Sequence, residues 1–167
     1  MTNTSALVIN GWLIYAHPLF LDRLDALVKE VEVLKRKDPI SYVKKSASKR
    51  LAAITKLAFE VIPQDPTRDE YRQGNTRGSE NKHWFRAKFF QQYRLFFRFH
   101  AVAKVIVYAW VNDQDTKRAY DSASDAYRVF GKMLASGHPP SDLGQLLIEA
   151  GAESLRFARL ASGDSSQ

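Results

Sequence analysis

The sequence contains no cysteine, which excludes a disulfide framework, a thiolate metal site and a cysteine nucleophile. Charged side chains are also missing from the first 21 residues, but polar residues and a proline interrupt that segment, and no basic stretch precedes it. The longest uninterrupted apolar run, residues 12–16, is far shorter than the ~20 residues that span a membrane. We therefore expect a soluble, cytoplasmic protein that does not associate with a membrane.

What the sequence does contain is a globular composition and an unevenly placed positive charge. Its 167 residues are 45% hydrophobic and 12% aromatic, which suits one domain with a real core. The net charge of +7 is concentrated in residues 35–56, where eight basic side chains face one acidic residue, and in residues 81–112, where six face none. Such segments favour a polyanionic partner, although surface charge that serves only solubility is an equal alternative.

The first half of the chain predicts a strand followed by two helices. Residues 8–15 are apolar and rich in β-branched and aromatic side chains, which indicates a short strand. Pro18 suits the first turn of a helix whose apolar residues recur every three or four positions until a basic C-terminus. Asp38 then suits the cap of a second helix, which Pro63 ends. The short link between the helices predicts an antiparallel hairpin.

Three strand-like runs follow a polar loop at residues 63–82. The runs at 84–90, 93–100 and 104–111 are joined by short connections, which predicts an antiparallel meander. The period of two residues places apolar side chains on one face, where they can cover the helical hairpin, and basic and aromatic side chains on the other. The members of this second face are Trp84, Arg86, Lys88, Arg94, Phe96, Arg98, Tyr108 and Trp110.

A final short helix is predicted after the cap residue Ser124, and Gly137 ends it. The expected fold class is therefore α+β, with a small antiparallel sheet packed on an N-terminal helical hairpin and a short C-terminal helix. We expect one domain over residues 8–140. Residues 141–167 would form a C-terminal extension that is partly helical and disordered from residue 162.

The basic face of the meander suits phosphodiester chemistry. Two basic residues at positions i and i+2 lie about 7 Å apart on one face, so two neighbouring strands can surround a phosphate with cations. Arginines stabilise the charge that grows at phosphorus, and in RNA the 2′-hydroxyl itself can attack. His83 and His100 are further acid–base candidates. The histidines lack the spacing of metal ligands, so we expect no metal and no cofactor. The alternative is a sheet face that its charges keep soluble.

Five strings of residues carry a resemblance to a known family over roughly residues 10–140. The strings are Asn10-Gly11-Trp12, Tyr15-Ala16-His17-Pro18, Tyr93-Arg94-Leu95-Phe96-Phe97-Arg98, Trp110-Val111-Asn112-Asp113 and Asp125-Ala126-Tyr127 with Val129-Phe130-Gly131-Lys132-Met133-Leu134, followed by Gly137-His138-Pro139-Pro140. With these strings the chain is similar to the YhaV family, toxins of bacterial type II toxin–antitoxin systems within the RelE/ParE superfamily.

The resemblance implies a RelE-like fold and a metal-independent endoribonuclease. Such a toxin cuts mRNA in connection with the ribosome, so inhibiting translation and growth, and a PrlF-type (AbrB-like) antitoxin neutralises it. The superfamily's catalytic pattern falls on five positions of this sequence. They are Arg86 and Lys88 on the first meander strand, Arg94 on the second, and Arg118 and Tyr120 after the third.

Under this resemblance Arg94 and Arg118 would hold the phosphate. Arg86 or Lys88 would take the 2′-proton or stabilise the anion, and Tyr120 would donate a proton or stack beneath a base. We expect a second, RNA- or ribosome-docking set at Lys44, Lys45, Lys49, Arg50 and Arg98. Two other functions stay open: a ParE-like topoisomerase poison, and a ribosome- or RNA-binding module without catalytic activity.

Overall fold

The computed structural model describes residues 7–72, 83–117, 119, 122 and 124–161. In these residues one sheet of five strands is packed between helices. No helix among them is long and apolar enough to cross a membrane. The strands are β1 (Leu7–Ile9), β2 (Trp12–Ala16), β3 (Phe85–Phe89), β4 (Tyr93–His100) and β5 (Val105–Val111). The α-helices are α1 (Pro18–Lys37), α2 (Ser46–Lys56), α3 (Ala126–Ala135), α4 (Leu143–Gly151) and α5 (Ser154–Ala161).

The sheet is mixed, so the prediction of an antiparallel sheet is wrong although the α+β class is confirmed. The strand order is β1-β2-β5-β4-β3, and β2 lies parallel to β5 with Leu13 opposite Val105 and Ala16 opposite Tyr108. The antiparallel meander of β3, β4 and β5 is confirmed. The chain leaves β2 through the helices and re-enters the sheet at the far edge, so the last strand of the meander returns beside β2.

The expected single strand over residues 8–15 is also wrong, because it is a hairpin of β1 and β2. Asn10 and Gly11 form its turn with φ values of 51° and 82°. Both residues lie in the left-handed region, which Asn-Gly pairs adopt in two-residue hairpin turns. The Asn10 side chain donates from Nδ2 to the carbonyl oxygen of Pro63 at 3.1 Å, and this bond ties the hairpin to the segment after α2.

The helix α1 begins and ends as predicted. His17 caps it by accepting the Leu19 N–H at Nδ1. The second helix begins later than predicted, at Ser46. Asp38 belongs instead to the end of α1, since its N–H donates to the Leu34 carbonyl and its carboxylate accepts the Ser41 N–H. Residues 40–45 therefore form a turn instead of the start of a helix. After α2, the chain continues in a π-helical turn (Leu57–Val61) and a 3-10 turn (Ile62–Gln64).

A β-bulge in β5 changes which side chains reach each face of the sheet. Phe96 pairs with Trp110 but Phe97 pairs with Tyr108, so Ala109 is an extra residue. Trp110 lies on the basic face as expected. Tyr108, however, faces α1 and α2, and its hydroxyl donates to the Ala58 carbonyl, so its predicted place on the basic face is wrong.

Helices cover both faces of the sheet. The first face packs on α1 and α2, as predicted. The basic face is covered by α3, whose Phe130 stacks on Phe96 with a centroid distance of 4.2 Å, and by Leu146 of α4. Asp125, one residue after the predicted Ser124, caps α3. The helices α4 and α5 also lie against β2. The domain boundary at residue 140 stays a prediction, and residues 162–167 lie outside the described residues.

A hydrogen bond between His17 and Glu149 joins α4 to the start of α1 and supports a prediction on pH. Nε2 and Oε1 are 2.7 Å apart, and this hydrogen bond is the main cause that lowers the pKa of Glu149 below its ordinary value of 4.5. A lowered carboxyl pKa stabilises the fold above about pH 4.5, and the contribution is lost as the pH falls through the folded-state pKa.

Acidification from about pH 6 to about pH 3 is therefore expected to destabilise the wild type more than Glu149→Gln, measured as the shift in Tm. Glu153→Gln, which changes a half-buried carboxyl between α4 and α5, is the matched control. Parallel pH curves for the wild type and Glu149→Gln would contradict the assignment.

Candidate active site on the basic face of the sheet

The register of β3 and β4 brings three basic residues together on one face. Arg86 is paired across the strands with Phe96, and Lys88 is paired with Arg94. We call Arg86, Lys88 and Arg94 the basic cluster. All three belong to the catalytic set expected from the sequence, and the period-two pattern correctly places them on one face.

Arg86 is buried, with only 9% of its surface exposed. Its Nε donates to the hydroxyl oxygen of Tyr127 at 2.8 Å. Its Nη1 donates to the main-chain carbonyls of Glu70 at 3.0 Å and Arg72 at 2.6 Å. The guanidinium is therefore fixed between the sheet, the start of α3 and the segment that precedes β3.

Arg94 is held in the same manner and is 7% exposed. Its Nε donates to the same Tyr127 oxygen at 3.1 Å, and its Nη1 donates to the carbonyls of Gln91 at 2.7 Å and Tyr93 at 2.9 Å. The main chain of Arg94 is fixed as well, because its N–H donates to Oδ1 of Asn112 at 2.7 Å. Asn112 in turn donates from Nδ2 to two further carbonyls.

Tyr127 is a site residue that the sequence pattern does not predict. It lies in the first turn of α3, where the cap residue Asp125 accepts its N–H at 3.1 Å, and its ring meets Phe96 edge-on. The helical pattern assigns Tyr127 only to the apolar side of α3. Its hydroxyl nevertheless accepts a hydrogen bond from each of the two buried guanidiniums.

The electrostatics of the cluster favour an anionic ligand. The hydrogen-bond acceptors of Arg86 and Arg94 are all neutral oxygens, and neither arginine forms an ion pair with a carboxylate of the described chain. These hydrogen bonds use Nε and Nη1 of each arginine, and none of them uses Nη2. Burying a cation without an opposite charge costs several kcal/mol. A phosphate beside the cluster would offset that cost. Lys88 is exposed and adds a further positive charge.

Two predicted catalytic residues, Arg118 and Tyr120, lie outside the described residues. Between them, the N–H of Ala119 donates to Oδ1 of Asp125 at 2.6 Å. Asp125 is the cap of α3 and is two residues before Tyr127. The main chain at Ala119 is therefore anchored at the end of α3 that carries Tyr127.

The predicted docking residues divide into an exposed set, one buried residue and one half-buried residue. Lys44, Lys45 and Lys49 are exposed. Arg50 is 6% exposed and faces inward. Arg98 lies over the Trp84 ring and donates to the Ser141 carbonyl, and burial lowers its pKa, an effect that Asp142 partly opposes.

The two candidate histidines, His83 and His100, are exposed. Nδ1 of His100 accepts the N–H of Ala103 at 3.0 Å within the β4–β5 turn, so this imidazole has a local structural role. Among residues 7–72, 83–117, 119, 122 and 124–161, no three His, Asp or Glu side chains are grouped so that they would hold a metal ion.

Comparison with known proteins identifies the family. A family model described as a toxin with endonuclease activity, of toxin-antitoxin system, matches residues 14–151. The "Ribonuclease toxin YhaV" of Escherichia coli K12 is 50% identical over 143 residues, which cover 84% of this chain and 93% of that protein. The "Toxin YhaV" of Escherichia coli O6:H1 is 49% identical over the same length and coverage. No solved structure matches the chain significantly. The chain therefore belongs to the YhaV family of toxins with endonuclease activity.

Proposed function

We propose that this toxin is a ribonuclease that cleaves mRNA on the ribosome without a metal ion, and so inhibits translation and growth. The observation that carries the proposal is the pair of buried guanidiniums, Arg86 and Arg94, with no carboxylate partner in the described chain. A scissile phosphate would supply the missing negative charge. The family's endonuclease activity and the ribonuclease name of the K12 relative support an RNA substrate.

The proposed reaction is attack of a 2′-hydroxyl on the adjacent phosphorus. A bond forms between the 2′-oxygen and phosphorus, and the bond from phosphorus to the 5′-oxygen breaks. The 2′-proton leaves to a base, and the 5′-oxygen receives a proton. The products are a 2′,3′-cyclic phosphate and a 5′-hydroxyl. Negative charge builds on the phosphoryl oxygens at the five-coordinate stage, and fixed cations stabilise that charge best because they need no reorganisation.

We assign most of this stabilisation to the two buried arginines, Arg86 and Arg94. An arginine stays protonated in proteins, so Arg86 and Arg94 act as hydrogen-bond donors to the anion. Lys88 is exposed and can approach the 2′-oxygen or the phosphate. We assign Arg118 to the phosphate and Tyr120 to the leaving oxygen or a stacked base, on the resemblance to RelE-type toxins. Tyr127 serves as a positioning residue, because it holds both Nε groups.

The partner that neutralises the toxin is proposed to be a PrlF-type (AbrB-like) antitoxin in the cytoplasm. The family is part of toxin–antitoxin systems, which implies an antitoxin. A small open reading frame for an AbrB-like protein beside the gene would support the pairing. Co-expression should then restore growth and yield a complex on purification. We further propose that residues 8–140 form a RelE-like toxin domain.

The activity is tested by adding the purified toxin to mRNA on programmed ribosomes. The magnesium that ribosomes require is kept, and transition metals are removed by a selective chelator. Cleavage that leaves 2′,3′-cyclic or 3′-phosphate ends is expected. Strict dependence on an added transition metal would contradict the proposal. A gyrase supercoiling assay separates the topoisomerase alternative, and no inhibition is expected there.

The exposed lysines before and within α2 are expected to dock the toxin on RNA. Replacing Lys44, Lys45 and Lys49 together with alanine should weaken binding to ribosome-bound mRNA. The slope of log K against log salt should also become less steep, by about 2–3, because three phosphate contacts are lost. The single-turnover rate at saturating toxin should not change. Lys29→Ala with Lys132→Ala removes exposed lysines elsewhere and serves as the control. An equal loss of RNA affinity per lysine removed in the two sets would assign the effect to net charge.

A further inference from the structure

A pocket of about 190 Å³ lies on the side of the sheet opposite the basic cluster. It is formed by α1, α2 and the ends of β3, β4 and β5. Its base is buried and includes Arg50, Ile54 and Tyr93, whereas Glu30 and Asp115 at its mouth are exposed. A pocket that joins a buried cation and aromatic walls to an exposed mouth has the form of a small-molecule site.

Arg50 is the feature that points to a ligand. It is 94% buried, its guanidinium lies 5.5 Å from the centre of the Tyr93 ring, and its Nε has no hydrogen-bond partner among the described residues. The helix α2 turns Arg50 inward, whereas the neighbouring Lys49 is exposed. A buried donor without a partner costs roughly 1–3 kcal/mol, and a ligand that accepts its hydrogen bond would offset that cost.

The other groups around the pocket describe the shape and polarity of that ligand. Phe89 and Tyr93 stack with a centroid distance of 5.5 Å and form an aromatic wall. Glu30 and Asp115 place hydrogen-bond acceptors at the mouth. Asp113, also at the mouth, already pairs with Arg23. The ligand must therefore accept a hydrogen bond at one edge and donate at another. The carboxylates disfavour a bare phosphate.

We propose that this pocket binds a guanine base of single-stranded RNA. Guanine presents the acceptors O6 and N7, which an arginine fork recognises, and the donors N1–H and N2–H, which suit a carboxylate. Its flat ring stacks on aromatic side chains. A cavity of about 150 Å³ holds benzene, so 190 Å³ is sufficient for most of a base. Adenine presents an amino donor where guanine has O6, so the Arg50 fork rejects it.

Asn112 connects the pocket to the basic cluster. It lines the pocket, and its Oδ1 accepts the main-chain N–H of Arg94. Both sites therefore meet at the same end of the sheet, and the guanine belongs to a nucleotide near the scissile phosphate. This last step rests on the proposed ribonuclease function. The recognition of guanine by the pocket does not.

The test is a calorimetric titration of the full-length toxin with GMP, AMP and CMP, whose phosphates are the same. The expected result is that GMP binds about tenfold or more tightly than AMP and CMP. Arg50→Met should abolish that preference. Glu30→Gln combined with Asp115→Asn should reduce it severalfold, and both of these residues are exposed, so folding is not at issue. Lys29→Met, an exposed neighbour of Glu30 that does not line the pocket, should keep it.

Equal binding of the three nucleotides would overturn the proposal, as would a GMP preference that survives both Arg50→Met and the carboxylate pair. Should Arg50→Met not fold, the carboxylate pair decides. Cleavage is measured separately, and Arg94→Ala should lose it while still selecting GMP. A toxin that selects GMP but cuts no RNA would refute the ribonuclease proposal alone. One that cuts RNA without selecting GMP would refute the pocket alone.

Discussion

Arg94→Lys is expected to lower the rate of RNA cleavage by at least about a hundredfold. The substitution keeps the charge but removes the planar fork, which at once donates to Tyr127, to two carbonyls and, in the proposed complex, to the phosphate. A single ammonium cannot replace these directions. The loss is expected in the single-turnover rate on ribosome-bound mRNA, with RNA affinity changed much less.

The matched control is Lys132→Ala, which removes a charge from the exposed side of α3 and should leave cleavage unchanged. Thermal unfolding shows whether Arg94→Lys retains the fold. Full cleavage activity by a folded Arg94→Lys variant would mean that the phosphate site lies elsewhere.

Tyr127→Phe is expected to reduce kcat by roughly ten- to a hundredfold and to destabilise the fold by about 1–3 kcal/mol. It keeps the ring that packs on Phe96 but removes the oxygen that accepts from Nε of both Arg86 and Arg94. Two buried donors are then left unpaired, and both guanidiniums lose their common anchor. Stability is measured by thermal unfolding, and kcat is measured with saturating RNA.

Tyr42→Phe is the control, since its ring lies near Lys35 at the edge of the helices, away from the cluster. A lower Tm with unchanged kcat would make Tyr127 a purely structural residue. A lower kcat with unchanged KM is the result that a positioning role predicts.

The sequence predicts the fold best where the hydrophobic pattern is long. The helix α1 follows from a regular pattern over twenty residues. Each meander strand follows from an alternating pattern over five to eight residues. The bulge at Ala109 could not be predicted, because an extra residue in a fully buried strand leaves no mark on its hydrophobicity. The β1–β2 turn could have been predicted from the sequence, since Asn10-Gly11 is a strong hairpin signal within an apolar run.

At the site, the sequence correctly places Arg86, Lys88 and Arg94 on one face, because alternation and a short turn fix their register. It does not predict that two of them are buried, since this depends on how α3 packs across the sheet. Arg50 could have been recognised as buried: it follows Ala47 by three residues and precedes Ile54 by four, on the apolar side of α2.

The central claim is that the basic cluster directs the RNA's own 2′-hydroxyl at the neighbouring phosphate. The most direct test places one 2′-deoxynucleotide in the mRNA, at the nucleotide 5′ to the cleaved bond, and maps the cuts on the ribosome. The account predicts that cleavage of that bond disappears while the RNA still binds, and that the unmodified RNA ends in a 2′,3′-cyclic phosphate. Undiminished cleavage at the deoxy position, leaving a 3′-hydroxyl, would contradict it.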